Sequence, residues 1–221
     1  MSDHLVVPLL ANPDSAVRAR AVAVYRRCAD GHAEGLLSGL ADDSDSDVRI
    51  ESLQALFHVL DVGARLYLER ALNDGEEEVR LRAVQLLCQI PDTASLLLQV
   101  VGTEQGIIKR KALTALANQG VVTPELVMEY TEFLLQGAAV TDLSDREYLD
   151  GLGAAAKTLG QENIPEGLVA LTALVRSVIK RLRRVAVEGI MAYAPEDRGD
   201  ALYSLQDTYD MDVLKNVAFG L

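Results

Sequence analysis

Tryptophan is absent from the 221 residues, and with three phenylalanines and seven tyrosines the aromatic share is only 5%. A chain so poor in large rings must fill its core with Ala, Leu and Val, which gives the thin, small-residue interior of stacked helices. Histidine occurs only at His4, His32 and His58, and none is followed by glutamate or set at ligand spacing from another. Cysteine occurs only at Cys28 and Cys88, too far apart to suggest a metal or disulfide pair. Both fall within helical apolar patterns and read as buried, reduced thiols. Basic residues are scarce, 21 Lys+Arg against 33 Asp+Glu, for a formal charge of -12. Phosphate contacts need Lys and Arg, so a general nucleic-acid binder is not expected. No apolar run approaches the roughly 18 residues that a membrane span requires. The opening apolar stretch is broken by Pro8 and has no basic region before it, unlike a secretory signal. A cytoplasmic protein is expected, with no membrane contact. Gly-rich phosphate loops and nucleophile motifs are missing as well.

What is present is a globular balance, 49% hydrophobic and 24% charged, and a repeat. Val17-Arg18-Ala19-Arg20-Ala21-Val22 recurs as Val48-Arg49-Ile50-Glu51-Ser52-Leu53, as Val79-Arg80-Leu81-Arg82-Ala83-Val84, and as Ile108-Lys109-Arg110-Lys111-Ala112-Leu113. The offsets are 31, 31 and 29 residues. Leu182-Arg183-Arg184-Val185-Ala186-Val187 and Leu214-Lys215-Asn216-Val217-Ala218-Phe219 extend the series. The gap between Ile108 and Leu182 leaves room for a longer repeat. Its second helix is expected over Ser144–Leu159, with Leu149, Leu152, Ala156 and Leu159 inward. Within each unit, positions such as Val17, Ala21, Val24 and Cys28, or Val48, Ser52, Ala55 and Val59, step by four, three and four residues. That is one face of an α-helix. A preceding helix is expected from Val6 and Leu9, Leu37 and Leu40, Leu68 and Leu72, and Leu97 and Val100. Each unit is then a helix A, a short turn and a helix B, and neither helix can bury its face unless the units stack.

The turns repeat too. Asn12, Asp43 and Asp74 each stand six residues before Arg18, Arg49 and Arg80. Their short side chains can bond freed backbone groups. Asp14, Asp45 and Glu76 stand where a helix N-terminus favours an acid. The arginine can reach the aspartate of its own or the next turn, forming a ladder of charge-assisted bonds. The run Asp42, Asp43, Asp45, Asp47 lacks the Gly and terminal Glu of a calcium loop and reads as a solvated turn with a cap.

The Asx residue, the six-residue gap, Val-Arg and then Ala resemble the HEAT repeat, in particular the short HEAT-like class of phycobilin lyases. The first four units match closely. The sixth and seventh match only from Leu182 and Leu214 onward, since Ser177 and Tyr209 replace the acidic turn residue. The resemblance implies an all-α fold, a right-handed α-solenoid of about seven repeats forming a single continuous domain over residues 1–221, with B helices lining the concave face. It also implies a protein-binding scaffold or adaptor. Deoxyhypusine hydroxylase, an iron enzyme on the same scaffold, is recognised by His-Glu pairs that this chain lacks.

No catalytic, metal or cofactor residues are expected. Arg20, Arg82 and Lys111 share one helix-B column, interrupted by Glu51, and Arg110 and Arg184 occupy the neighbouring one. Arg176, Lys180, Arg181, Arg183 and Arg184 place five positives within nine residues. The expected partner-binding residues are Arg20, Glu51, Arg82, Arg110, Lys111, Arg184 and Glu188, facing a protein partner that the basic stripe expects to be acidic. The segment Ala112–Val175 holds nine acids and two bases. There Glu125, Glu129 and Glu132 form one helical stripe, read as a solvated outer face or an acidic docking stripe. Val213, Leu214, Val217, Phe219 and Leu221 suggest a terminal helix that either caps the array or self-associates. Tyr193, Tyr203 and Tyr209 suit a core or an interface equally. A non-enzymatic interaction scaffold is the expected function. Two alternatives stand beside it: a HEAT-type bilin lyase or its chaperone-like subunit, and a structural subunit of a larger assembly.

Overall fold

The computed structural model describes residues 5–27, 33–139 and 145–203, and every regular element among them is helical. A 3-10 turn, Val7–Ala11, precedes α1 (Ser15–Tyr25), α2 (Glu34–Leu40) and α3 (Ser46–Leu60). A second 3-10 turn, Asp61–Ala64, leads into α4 (Arg65–Ala71), α5 (Glu77–Leu87), α6 (Ala94–Thr103) and α7 (Gly106–Asn118). Then follow α8 (Pro124–Ala138), α9 (Arg146–Gln161), α10 (Pro165–Val175), α11 (Lys180–Met191) and α12 (Pro195–Tyr203). The chain forms two compact units, Met1–Ile108 and Lys109–Leu221. Each is a stack of paired helices.

In the first unit the B helices α1, α3 and α5 pack side by side, while α2 and α4 pack onto α3 and α5. Val22, Leu37, Leu53, Leu56, Leu68 and Leu87 are fully enclosed between them. The turns that start the B helices are built alike. Oδ1 of Asn12, Asp43 and Asp74 accepts from the backbone N–H two residues on, at 2.9 Å each. Asp14 and Asp45 then cap α1 and α3 by accepting from first-turn amides.

The arginine in each repeat joins two turns. Arg49 donates from Nη1 to the carbonyl of Asp43 in its own turn (2.9 Å), and from Nε and Nη2 to both carboxylate oxygens of Asp74 in the next (2.8 Å each). Arg18 does the same with the Asn12 carbonyl (2.8 Å) and the Asp43 carboxylate (2.8 and 2.7 Å). Arg80 holds the Asp74 carbonyl (2.9 Å) and one oxygen of Glu104 (2.7 Å). The acceptor is therefore the next turn's carboxylate, with the own turn contributing its backbone. The hydrogen bond from Arg18 holds the Asp43 carboxyl below the ordinary carboxylate range, against the upward push of burial. Burial likewise pushes the Asp74 carboxyl up, but Arg49 and the Glu76 amide leave it lowered.

The second unit keeps this arrangement with altered chemistry. Lys109, in the arginine's place, pairs with Glu129 at 2.7 Å. Arg183 donates to the carbonyls of Ser177 (3.0 Å) and Val178 (3.2 Å), and Ser177 Oγ accepts from the Ile179 amide as the Asx residues do. Here α8 packs on α10, and α9 on α11. The α9–α11 contact depends on bare backbone. A Cβ on Gly160 would stand 2.6 Å from the Gly189 carbonyl oxygen and 2.7 Å from the Ala192 Cβ. One on Gly189 would stand 2.8 Å from the Ala156 Cβ.

Several expectations need correction. The first apolar segment is a 3-10 turn that contains Pro8 and is followed by Pro13, and it buries Val6 and Leu10 while Leu9 is exposed. Val24 is exposed, whereas its counterparts Ala55 and Leu86 are buried; among the described residues no B helix precedes α1 to cover it. In α9 it is Tyr148, not Leu149, that is buried alongside Leu152, Ala156 and Leu159. Cys88 is half-buried at the end of α5. Tyr193 is a core residue whose hydroxyl donates to the Ile164 carbonyl at 2.7 Å. Cys28, His4, His32, Tyr209 and the Val213–Leu221 segment lie outside the described residues.

Two outcomes check this packing. Arg49→Ala should destabilise the protein by about 1.5–3 kcal/mol, the range for hydrogen bonds to charged groups. Arg49→Lys should recover less than half of that, since an ammonium cannot hold two carboxylate oxygens and a carbonyl together. Thermal or urea unfolding measures both. Glycine to alanine in a helix ordinarily adds stability by about 1 kcal/mol. At Gly160 the sign should reverse because the new methyl meets backbone, and the same unfolding assay would show a lowered midpoint.

Candidate functional site

The seven expected contact residues fall into two groups by their surroundings. Arg20 on α1, Glu51 on α3 and Arg82 on α5 hold equivalent positions on three neighbouring helices of the first unit. Arg20 is exposed, and Glu51 and Arg82 are half-buried. Each lies two residues beyond a ladder arginine, so the ladder fixes its backbone without using its side chain. Glu51 Oε2 is buried yet has no hydrogen-bond partner.

The residues of the second unit have intramolecular partners. The Arg110 guanidinium lies over the ring of Tyr148, 4.9 Å from its centroid, and that ring packs against Phe133 at 5.2 Å. A cation over a ring gains about 0.5–2 kcal/mol, more as water is excluded. Lys111 pairs with Glu147. Arg184 pairs with Glu188 at 3.1 Å one helical turn on, and both are largely in water. Tyr148 and Glu147 were not anticipated. The only signal was their place at the start of α9, two helices on from the Arg110-Lys111 pair of α7.

The outer acidic stripe is also modified. Glu129 takes the bond from Lys109 while Glu125 and Glu132 stay exposed. The run after α2 is likewise in use. Asp42 pairs with Arg70, Asp43 with Arg18, and Asp45 caps α3. Among the described residues no group of three His, Cys, Asp or Glu side chains could hold a metal ion. A cleft of about 140 Å³ in the first unit is lined by Leu72, Asn73, Arg80, Val84, Gln99 and Glu104, among others. It is smaller than the several hundred Å³ usual for a small-molecule site, and its charges are the ladder pair Arg80–Glu104. Among the described residues no helix is long and apolar enough to cross a membrane.

Comparison with known proteins places this geometry in a fold class. An engineered protein is similar over 100% of this chain and 67% of its own, with 19% identity and a TM-score of 0.61. The archaeal HEAT-like repeats protein from Thermococcus onnurineus NA1 is similar over 100% of this chain and 95% of its own, with 12% identity and a TM-score of 0.51. No family model matches the sequence, and no curated protein does. The likeness is one of fold, an all-α stack of HEAT-like repeats.

The Arg184–Glu188 pair is exposed by 72% and 64%, so it carries little stability. Arg184→Ala and Glu188→Ala should each shift unfolding by no more than about 0.5 kcal/mol. A larger loss in chemical denaturation would mean that the pair belongs to the fold.

Proposed function

We propose that this chain is a non-enzymatic protein–protein interaction scaffold that holds its partner along the B-helix columns. The observation that supports the reading is the column Arg20, Glu51, Arg82. These charged side chains recur at one helical position with the period of the repeat, and none forms an ion pair among the described residues. A partner presenting carboxylates opposite Arg20 and Arg82 matches that column. Arg110, Lys111, Arg184 and Glu188 continue the binding set in the proposal, with their intramolecular pairs exchanged on binding. Each exposed pair adds only about 0–1 kcal/mol, so affinity comes from several repeats at once and from neighbours such as Ile50 and Leu81. The proposal takes the array as continuous over residues 1–221 and the protein as cytoplasmic. The Asx, Val-Arg and Ala motif supports placement in the short HEAT-like class of phycobilin lyases. A scaffold role there, in place of bilin attachment, means a purified protein without visible absorbance.

The test is affinity capture from the native host with quantitative mass spectrometry, comparing wild type with the double variant Arg20→Glu, Arg82→Glu. Proteins enriched by the wild type should be lost from the variant, and their capture should weaken as salt rises. Equal recovery by both, with the variant folded by circular dichroism, defeats the reading.

A further inference from the structure

The outer face of the α8–α10 pair is built differently from the columns above. Neither helix contains a lysine or an arginine. On α8 the buried side is Leu126, Tyr130, Phe133, Leu134 and Gly137. Directly opposite, Met128 is 76% exposed and Leu135, two turns on, 43%. On the adjacent α10, Val169 is 71% exposed. Exposed carboxylates border these three on both helices, at Glu125, Glu132 and Glu166. Single exposed apolar residues are ordinary on a protein surface. Three on two packed helices, bordered by Glu125, Glu132 and Glu166, form an amphipathic and mainly acidic face, with Lys109 tied to Glu129 of α8 and Arg176 at the C-terminal end of α10 as the bases at these helices. Methionine at its centre adapts its shape to what covers it.

We propose that this face binds a basic amphipathic helical segment of a protein partner, with apolar side chains over Met128, Leu135 and Val169 and lysines or arginines opposite Glu125, Glu132 and Glu166. The charge selects that occupant. The chain's own residues 204–221 carry three aspartates and one lysine, the wrong sign for the surface. The apolar contacts provide the affinity and the carboxylates the orientation, as in helix-in-groove recognition. The site is separate from the Arg20, Glu51, Arg82 column, whose proposed partner is acidic, so either reading can fail alone.

The experiment titrates the full chain into a labelled leucine–lysine peptide of about five helical turns, followed by anisotropy. A serine–lysine peptide of equal charge serves as control, and sedimentation gives the mass of the chain. The amphipathic peptide should bind saturably at one per chain and at least about tenfold more tightly than the control. Met128→Ser with Val169→Ser should weaken it by about tenfold or more while helicity is unchanged, both side chains being in water. Glu125→Lys with Glu132→Lys should remove most of the salt dependence. Equal binding of both peptides, or of the amphipathic peptide to the serine variant, would show only the attraction of an acidic protein and would overturn the proposal. A wild-type dimer that the serine variant dissociates would also overturn it, by making a second copy the occupant.

Discussion

Each repeat of the first unit depends on an arginine that cannot be satisfied within its own turn. Its guanidinium has five donors in a rigid plane. One nitrogen, Nη1, grips the carbonyl of the turn that starts its own helix. The edge formed by Nε and Nη2 projects beyond that turn and needs a carboxylate, which only the following turn supplies. For Arg18 and Arg49 the acceptor lies 25 residues on, in Asp43 and Asp74. The bond therefore sets both the local turn and the distance between repeats. The side chains of these pairs are only 10–15% exposed. At about 1.5–3 kcal/mol each they outweigh the 0–1 kcal/mol of pairs in open water.

The same constraint accounts for the identity of the turn residues. Asp43 and Asp74 receive an arginine and are charged. Asn12 and Ser177 make the same backbone turn, but among the described residues no arginine reaches their side chains, and both are neutral. A carboxylate buried there without a counter-ion would cost more than it contributes. The dependence on acidity has a fixed sign. Asp43 is held below its ordinary pKa in the folded state, so its contribution is complete above the unfolded value, near 4. It is lost as pH falls through the lower folded value.

The B helices and their turns were legible because two signals coincide there. The four-three-four apolar spacing and the polar residue six before the arginine are both short-range and both repeat. The fully helical stack follows from them. The positions that were misjudged depend on what lies beside a helix. Leu9 fits a helical period, but two prolines confine the segment to a 3-10 turn that buries Leu10. Val24 fits the inward column, but among the described residues no B helix precedes α1 to cover it. Glu104 and Glu129 could not be recognised as ladder acceptors, because they sit 24 and 20 residues beyond Arg80 and Lys109. Glu129 moreover stands on a helix, where its sequence pattern is that of a solvated face. Tyr148 was hidden by its neighbour Leu149, the more hydrophobic of two adjacent candidates; the ring reaches both Phe133 and Arg110, which a leucine could not do.

Once the ladder is recognised, the remaining charges divide by whether the fold uses them. A charged side chain with an intramolecular partner must leave it to bind anything else, so part of the gain on binding is cancelled. Lys111 with Glu147, and Arg110 over Tyr148, are in that position, and the Lys111 side chain is only 12% exposed. Arg20, Arg82 and Glu51 face no such exchange, because no charged partner meets them among the described residues. The α8–α10 face is a third case, with acids that meet no base on their own helices and apolar side chains in water at their centre. An internal ladder that fixes the backbone leaves the outward residues of each repeat free to vary without loss of stability. Two surfaces of opposite charge on one chain are compatible with that freedom, since neither is needed to hold the repeats together.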